Sequence, residues 1–258
     1  MPFPESPRVV YERNPLEEVI CQLRFPTILR IDAEMPAAFQ EMVRNEYPLY
    51  TEAEAVLGGG PPMPPEVAQV LRGGLPVTRQ FHTQDQVWKI GLTRDFLSLS
   101  TRHYERWEQF RERLAFATSA LEQTYRPAFL SRVGLRYRNI IHRPTLGLNV
   151  QWSELLMPHV AAELSSQEMA ESVSEAVHLV LFKLDEQGSR VQLRHGLESR
   201  EGLAGAAYVL DADFFTDSRM ETQNVVQRLD YFNRQAGCLF RWCITDALHQ
   251  RLGSHPVQ

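Results

Sequence analysis

Asp211-Ala212-Asp213 is the carboxylate pair best placed to do chemistry, because two acids at period two on a strand project from the same face. Such a pair at a strand end can hold Mg2+ or Mn2+ for phosphodiester chemistry. The same residues also read as a strand ending in a turn, with Asp213 leading into Phe214-Phe215-Thr216-Asp217, and no Glu-x-Lys or His signature completes a nuclease site. Asp211 and Asp213 are the catalytic candidates of one alternative reading, a metal-dependent nuclease or hydrolase.

Arginine supplies the second chemistry. From Gln123 to Ser153 the chain has no Asp or Glu, yet it holds Arg126, Arg132, Arg136, Arg138 and Arg143 together with His142. On a strand, Arg132, Arg136 and Arg138 share one face, while Val133, Leu135, Tyr137, Asn139 and Ile141 share the other. An open arginine face can take a phosphate backbone or an acidic segment of a partner. Beneath helices, the same side chains would pair with carboxylates such as Glu105, Glu108 and Glu112. Arg24 stands in the same local sequence on an earlier strand, so the binding candidates are Arg24, Arg132, Arg136 and Arg138.

The common signatures of other chemistries are missing. His82, His103, His142, His159, His178, His195, His249 and His255 show no H-x-H, H-x-x-x-H or H-E-x-x-H spacing, so no metal and no cofactor is expected. Gly58-Gly59-Gly60 is followed by two prolines and no lysine, which does not suit a phosphate-binding loop. There is no G-x-S-x-G elbow and no G-x-G-x-x-G fingerprint. Cys21 falls on an apolar strand face, and Cys238 and Cys243, five apart on a helix, do not face each other.

Strands and amphipathic helices must position the arginines. Asn14-Pro15-Leu16-Glu17-Glu18-Val19-Ile20-Cys21-Gln22-Leu23-Arg24-Phe25-Pro26 alternates between two prolines, with Val19, Cys21, Leu23 and Phe25 on one face. Its Leu-Arg-aromatic ending recurs at Leu135-Arg136-Tyr137. Each copy leads into the same order of elements. After the first come a helix opened by Asp32, a glycine- and proline-rich loop at 51–77 with a helical turn near Glu66–Leu71, three strands (77–83, 87–93, 96–101) and a helix over 103–124. After 132–142 come a helix over 153–164, three strands (172–184, 190–198, 206–213) and a helix from the capping box Ser218-x-x-Glu221 to Leu252.

The expected fold is therefore α+β. Two tandem strand-helix-three-strand-helix repeats, 1–125 with a mobile loop and 126–258, form an antiparallel sheet with the long helices on one side. By analogy this is the saddle of the TATA-binding-protein class. At 258 residues the chain buries roughly 70–75% of its unfolded surface and packs as one globular unit. A net charge of -5 argues against a surface-wide nucleic-acid or membrane footprint. Without an n-region, a long apolar run or a disulfide framework, a cytoplasmic protein is expected.

The motif at 14–26, Phe39-x-x-x-Val43-x-x-x-Tyr47-Pro48, and Arg132-Val133-Gly134-Leu135-Arg136-Tyr137-x-Asn139 resemble the sporadically distributed family of uncharacterised bacterial proteins of about this length. The resemblance covers nearly the whole chain. It carries no catalytic residues, but patchy distribution is usual for mobile elements, so it implies a partner-binding role in a bacterial defence or toxin-antitoxin module. The expectation is a non-enzymatic macromolecular binding protein with a protein partner. The alternatives are nucleic-acid binding through the arginine face and the metal-dependent enzyme.

Overall fold

Residues 2–54, 77–166, 168–186, 188–200, 202 and 204–256 are described by the computed structural model. The strands are β1 (Val9–Tyr11), β2 (Leu16–Arg24), β3 (Leu49–Glu54), β4 (Val77–His82), β5 (Trp88–Leu92), β6 (Phe96–Thr101), β7 (Arg132–Ile141), β8 (His178–Lys183), β9 (Ser189–Ser199), β10 (Ala206–Thr216) and β11 (Ser254–Pro256). Alternation decides which side of the sheet is dry. Val19, Cys21 and Leu23 of β2 and Val133, Leu135 and Tyr137 of β7 point one way and are buried. The two strands pair antiparallel with Cys21 opposite Leu135 and Gln22 opposite Gly134. They are the centre of a nine-stranded sheet, antiparallel at every junction, in the order β3-β4-β5-β6-β2-β7-β10-β9-β8. A separate ribbon joins β1 to β11.

The helices are α1 (Arg30–Ala33), α2 (Ala37–Val43), α3 (Trp107–Tyr125), α4 (Trp152–Leu155), α5 (Pro158–Ala161), α6 (Val225–Cys243) and α7 (Asp246–Arg251). The long ones carry the stripe that packing on a sheet requires. Trp107, Phe110, Leu114, Ala117 and Leu121 are buried on α3, and Val225, Leu229, Phe232 and Leu239 on α6. Phe110 meets Trp88 of β5 at 5.7 Å and Phe232 meets Phe214 of β10 at 6.3 Å, so both helices cover the dry face. Trp107 Nε1 donates to Asp230 at 2.7 Å and ties one helix to the other.

The mixed α+β class and the antiparallel sheet stand; several elements differ from expectation for local reasons. Residues 49–54 form β3 on β4, so the first residues of the expected loop are strand, and 55–76, with the expected turn near Glu66–Leu71, lies outside the described residues. Asp32 does not cap a helix; it faces Arg79 at 3.3 Å and Arg94 at 3.7 Å. The helix expected over 153–164 is broken into α4, α5 and a 3-10 turn, because Pro158 starts a new helix and Ala162 takes φ 45°. The capping box falls there too, at Gln151 and Glu154. The last helix starts at Val225 after a 3-10 turn and stops at Ile244, and Thr245 caps α7 by accepting from the Leu248 N–H. Among the described residues no helix is long and apolar enough to cross a membrane.

Candidate functional site

β7 presents the predicted arginines on the face opposite its buried Val133, Leu135 and Tyr137, and β10 lies beside it. Asp211 and Asp213 project toward the same arginines, as period two requires. The ion pairs run diagonally across the ladder. Asp211 sits opposite Arg138 in register and Asp213 opposite Arg136, yet Arg136 grips Asp211 with Nε at 2.6 Å and with Nη2, and Arg132 reaches Asp213 at 2.7 Å. Arg138 faces Glu17 at 3.6 Å, which also accepts from Arg200 at 2.8 Å. The partners are thus strand carboxylates rather than Glu105, Glu108 or Glu112: Glu108 takes Arg8, and Glu105 faces His103.

Two small devices hold this ladder in place. A Cβ on Gly134 would stand 2.6 Å from Arg132 Nη1, so the glycine lets that guanidinium lie flat across β7. Phe215 of β10 is then flanked by Arg132 at 4.9 Å and Arg190 at 5.0 Å. Burial raises the Asp213 carboxyl above its usual value, against the pull of Arg132, while the hydrogen bonds of Asp211 hold the Arg136 proton more firmly. Arg24 stands apart: exposed at the end of β2, opposite Arg132, with no ion pair among the described residues.

Each carboxylate of the predicted metal pair already accepts from a guanidinium. Among the described residues no three His, Cys, Asp or Glu side chains are grouped to hold a metal ion. The fold does assemble histidines that the sequence leaves scattered. His178 and His195 stack with centroids 5.1 Å apart across β8 and β9, and Glu163 lies 3.2 Å from His178. Tyr208 donates to Val160 O at 2.6 Å, so the His195 Nδ1 found 2.8 Å from its oxygen is the protonated one. Burial then keeps the ring neutral, with its pKa lowered to about 4. The three cysteines are buried and unpaired.

The feature that residue types alone do not reveal is the edge of the sheet. Among the described residues β8 pairs only with β9, and Val177, Leu179, Val180 and Leu181 are 57, 63, 37 and 54% exposed. Its signal in the sequence is the run from Val177 to Phe182, apolar apart from His178 and with no Asp, Glu, Lys or Arg. Fold and site define a mixed α+β protein with a self-paired arginine face and an open apolar edge. No protein-family model and no curated protein matches the chain.

Proposed function

We propose that the chain is a non-enzymatic binding protein that takes an extended segment of a protein partner as one further strand beside β8. The exposed apolar edge carries this reading, since a row of unpaired backbone groups with apolar side chains is a template for strand addition. The strand order says why the edge is open. The series β4-β5-β6-β2 and β8-β9-β10-β7 meet at β2 and β7, so β8 holds the place that β4 holds on the other side. β4 is covered by β3; β8 has no such neighbour among the described residues.

The same order supports duplication of a strand-helix-three-strand-helix unit, with a pseudo-two-fold axis as in a TATA-binding-protein-like saddle. Leu23-Arg24 and Leu135-Arg136 each come directly after one member of the Gln22–Gly134 pair and run in opposite directions from it, as an axis through that pair requires. A partner encoded in a bacterial defence or toxin-antitoxin module fits the resemblance of the N-terminal motif. Nucleic-acid binding through Arg24, Arg132, Arg136 and Arg138 is less favoured, because the last three already face carboxylates, which lowers the charge a phosphate would meet.

The test is a pull-down from native-host lysate with the tagged full chain, half of each sample nuclease-treated, comparing wild type with Leu179→Lys/Leu181→Lys. A stoichiometric protein that survives nuclease and is lost in the variant is the expected result. Retention of the same protein by the variant, or of nucleic acid alone, sinks the proposal.

A further inference from the structure

A cleft of about 650 Å³ lies away from β8, on the helix-covered side. Leu16, Tyr137 and Asn139 of the two central strands lie at its base, the start of α3 and the second half of α6 form walls, and residues 5–11 line it from the chain's N-terminal side. That N-terminal strap is held at several points. Phe3 is buried against Phe182 at 5.3 Å and Trp242 at 5.6 Å, and Arg8 donates to both carboxylate oxygens of Glu108 at 2.5 and 2.8 Å. β1 pairs with β11, and Asn14 donates to Tyr104 O at 3.1 Å.

We propose that this cleft binds a small planar aromatic anion, independently of the β8 edge. The volume is that of ordinary small-molecule sites, and the walls offer aromatic surface from Tyr104, Trp107, Tyr137 and Phe240. Flat ligands stack on or meet the edges of such rings. Charge selects the anion. Of the charged residues lining the cleft, Arg8 and Arg241 are engaged by Glu108 and Asp246 and Glu105 faces His103, while exposed Arg106, Arg234 and Glu5 have no ion pair among the described residues, which leaves one guanidinium in excess. A guanidinium suits a carboxylate, sulfonate or phosphate. Asn233 accepts from the hydroxyls of Tyr137 at 2.8 Å and Tyr104 at 3.5 Å, so its amide nitrogen is the group left to donate.

Gly237 keeps one wall of the cleft free of a side chain. It stands inside α6, where glycine is a poor helix former, and its Cβ would meet nothing within 4 Å. Among the described residues no packing requires the glycine, which is exposed and lines the cleft. The missing side chain leaves room for a ligand to lie against the helix.

The probe is 8-anilinonaphthalene-1-sulfonate, titrated by fluorescence into the full chain. Wild type should show one saturable site. Gly237→Ala should raise the thermal midpoint by about 2–4 °C, since it improves the helix and clashes with nothing. Gly237→Leu should fold equally well and weaken binding at least about thirtyfold by filling the space. Arg106→Met/Arg234→Met should weaken it about tenfold, the loss of one charge-assisted contact. Leu179→Lys/Leu181→Lys should leave it unchanged, which separates this site from the edge. Binding retained by Gly237→Leu, binding lost in the β8 variant, or a midpoint lowered by Gly237→Ala overturns the proposal.

Discussion

Replacing Asp211 by alanine tests whether the acids of β10 are structural partners of the arginines or held for another purpose. The Asp211 side chain is 8% exposed and accepts twice from Arg136, whose own side chain is 44% exposed. Removing one partner of a fully buried pair costs about 3–5 kcal/mol, and breaking a surface pair about 0.2–1 kcal/mol. Here the buried member is deleted and the stranded guanidinium is nearly half in water already, so it can rehydrate. The expected loss is about 2 kcal/mol. Asp211→Asn keeps the shape and one acceptor and should lose about half of that. Urea unfolding followed by tryptophan fluorescence reads the change as a midpoint lowered by roughly 1 M, with an unaltered slope. Arg136→Met in the alanine background should then cost little more, giving a coupling of about 1–2 kcal/mol. A loss below about 0.5 kcal/mol, or no coupling, refutes the pairing argument. Stabilisation by Mg2+ that vanishes with Asp211 would restore the metal reading instead.

Buried His195, with its pKa lowered to about 4, gives an acid-lability prediction. Its contribution to stability is full above the unfolded value near 6.5 and falls as pH drops toward about 4, by up to roughly 3 kcal/mol, whereas His195→Gln should flatten thermal midpoints over that window. Neighbouring His178 and His159 disfavour its protonation and Glu163 favours it, so Glu163→Gln should steepen the dependence. The Arg8 clasp holds the Glu108 carboxyl down, to about 2; the strap should stay closed through pH 4.5 and release only as pH falls toward that value, read by amide exchange of residues 8–11. One molar salt should loosen it too, because both side chains are about half exposed. A Cβ on Gly196 would stand 1.8 Å from Ala176 O, so Gly196→Ala must push the chain before β8 away and should cost about 1–3 kcal/mol in urea unfolding. An unchanged midpoint there would mean that segment 176–177 gives way freely.

The elements legible in the sequence are those whose pattern is local. Period-two alternation places Val19, Cys21 and Leu23 inward, and the three- and four-residue spacing of Trp107 to Leu121 gives α3, whose start at Trp107 lies four residues after the expected 103 and whose end at Tyr125 is one beyond the expected 124. Elements set by distant partners are not legible. β1 exists because residues 254–256 lie beside it, and β3, Leu-Tyr-Thr-Glu-Ala-Glu, reads as loop until β4 pairs with it. Ser218 and Glu221 match a capping pattern, but the Ser218 N–H goes to Thr216 Oγ1 and the helix waits for Val225. For the site, the shared face of Arg132, Arg136 and Arg138 comes from spacing alone. That Asp211 and Asp213 lie beside them, and so take them up, depends on β10 pairing with β7, a contact about 75 residues away in sequence.

That neutralisation makes the arginine strand a poor docking surface and the end of the sheet a better one. One face of the nine strands is covered by α3 and α6, and on the other the most conspicuous charges are matched strand by strand. A macromolecule laid across that second face would meet one unpaired guanidinium, Arg24 at the end of β2, and would have to break diagonal ion pairs to reach Arg132 or Arg136, at a cost for each that a solvated surface does not impose. A strand added beside β8 breaks nothing, buries Leu179 and Leu181, and gains backbone hydrogen bonds. A ligand between the long helices likewise displaces only solvent from a cleft already formed. The energetic asymmetry between breaking pairs and filling vacant positions is what supports proposing the edge and the cleft as binding sites, and the arginines then serve to tie β7 to β10 through Asp211 and Asp213 and to β2 through Glu17.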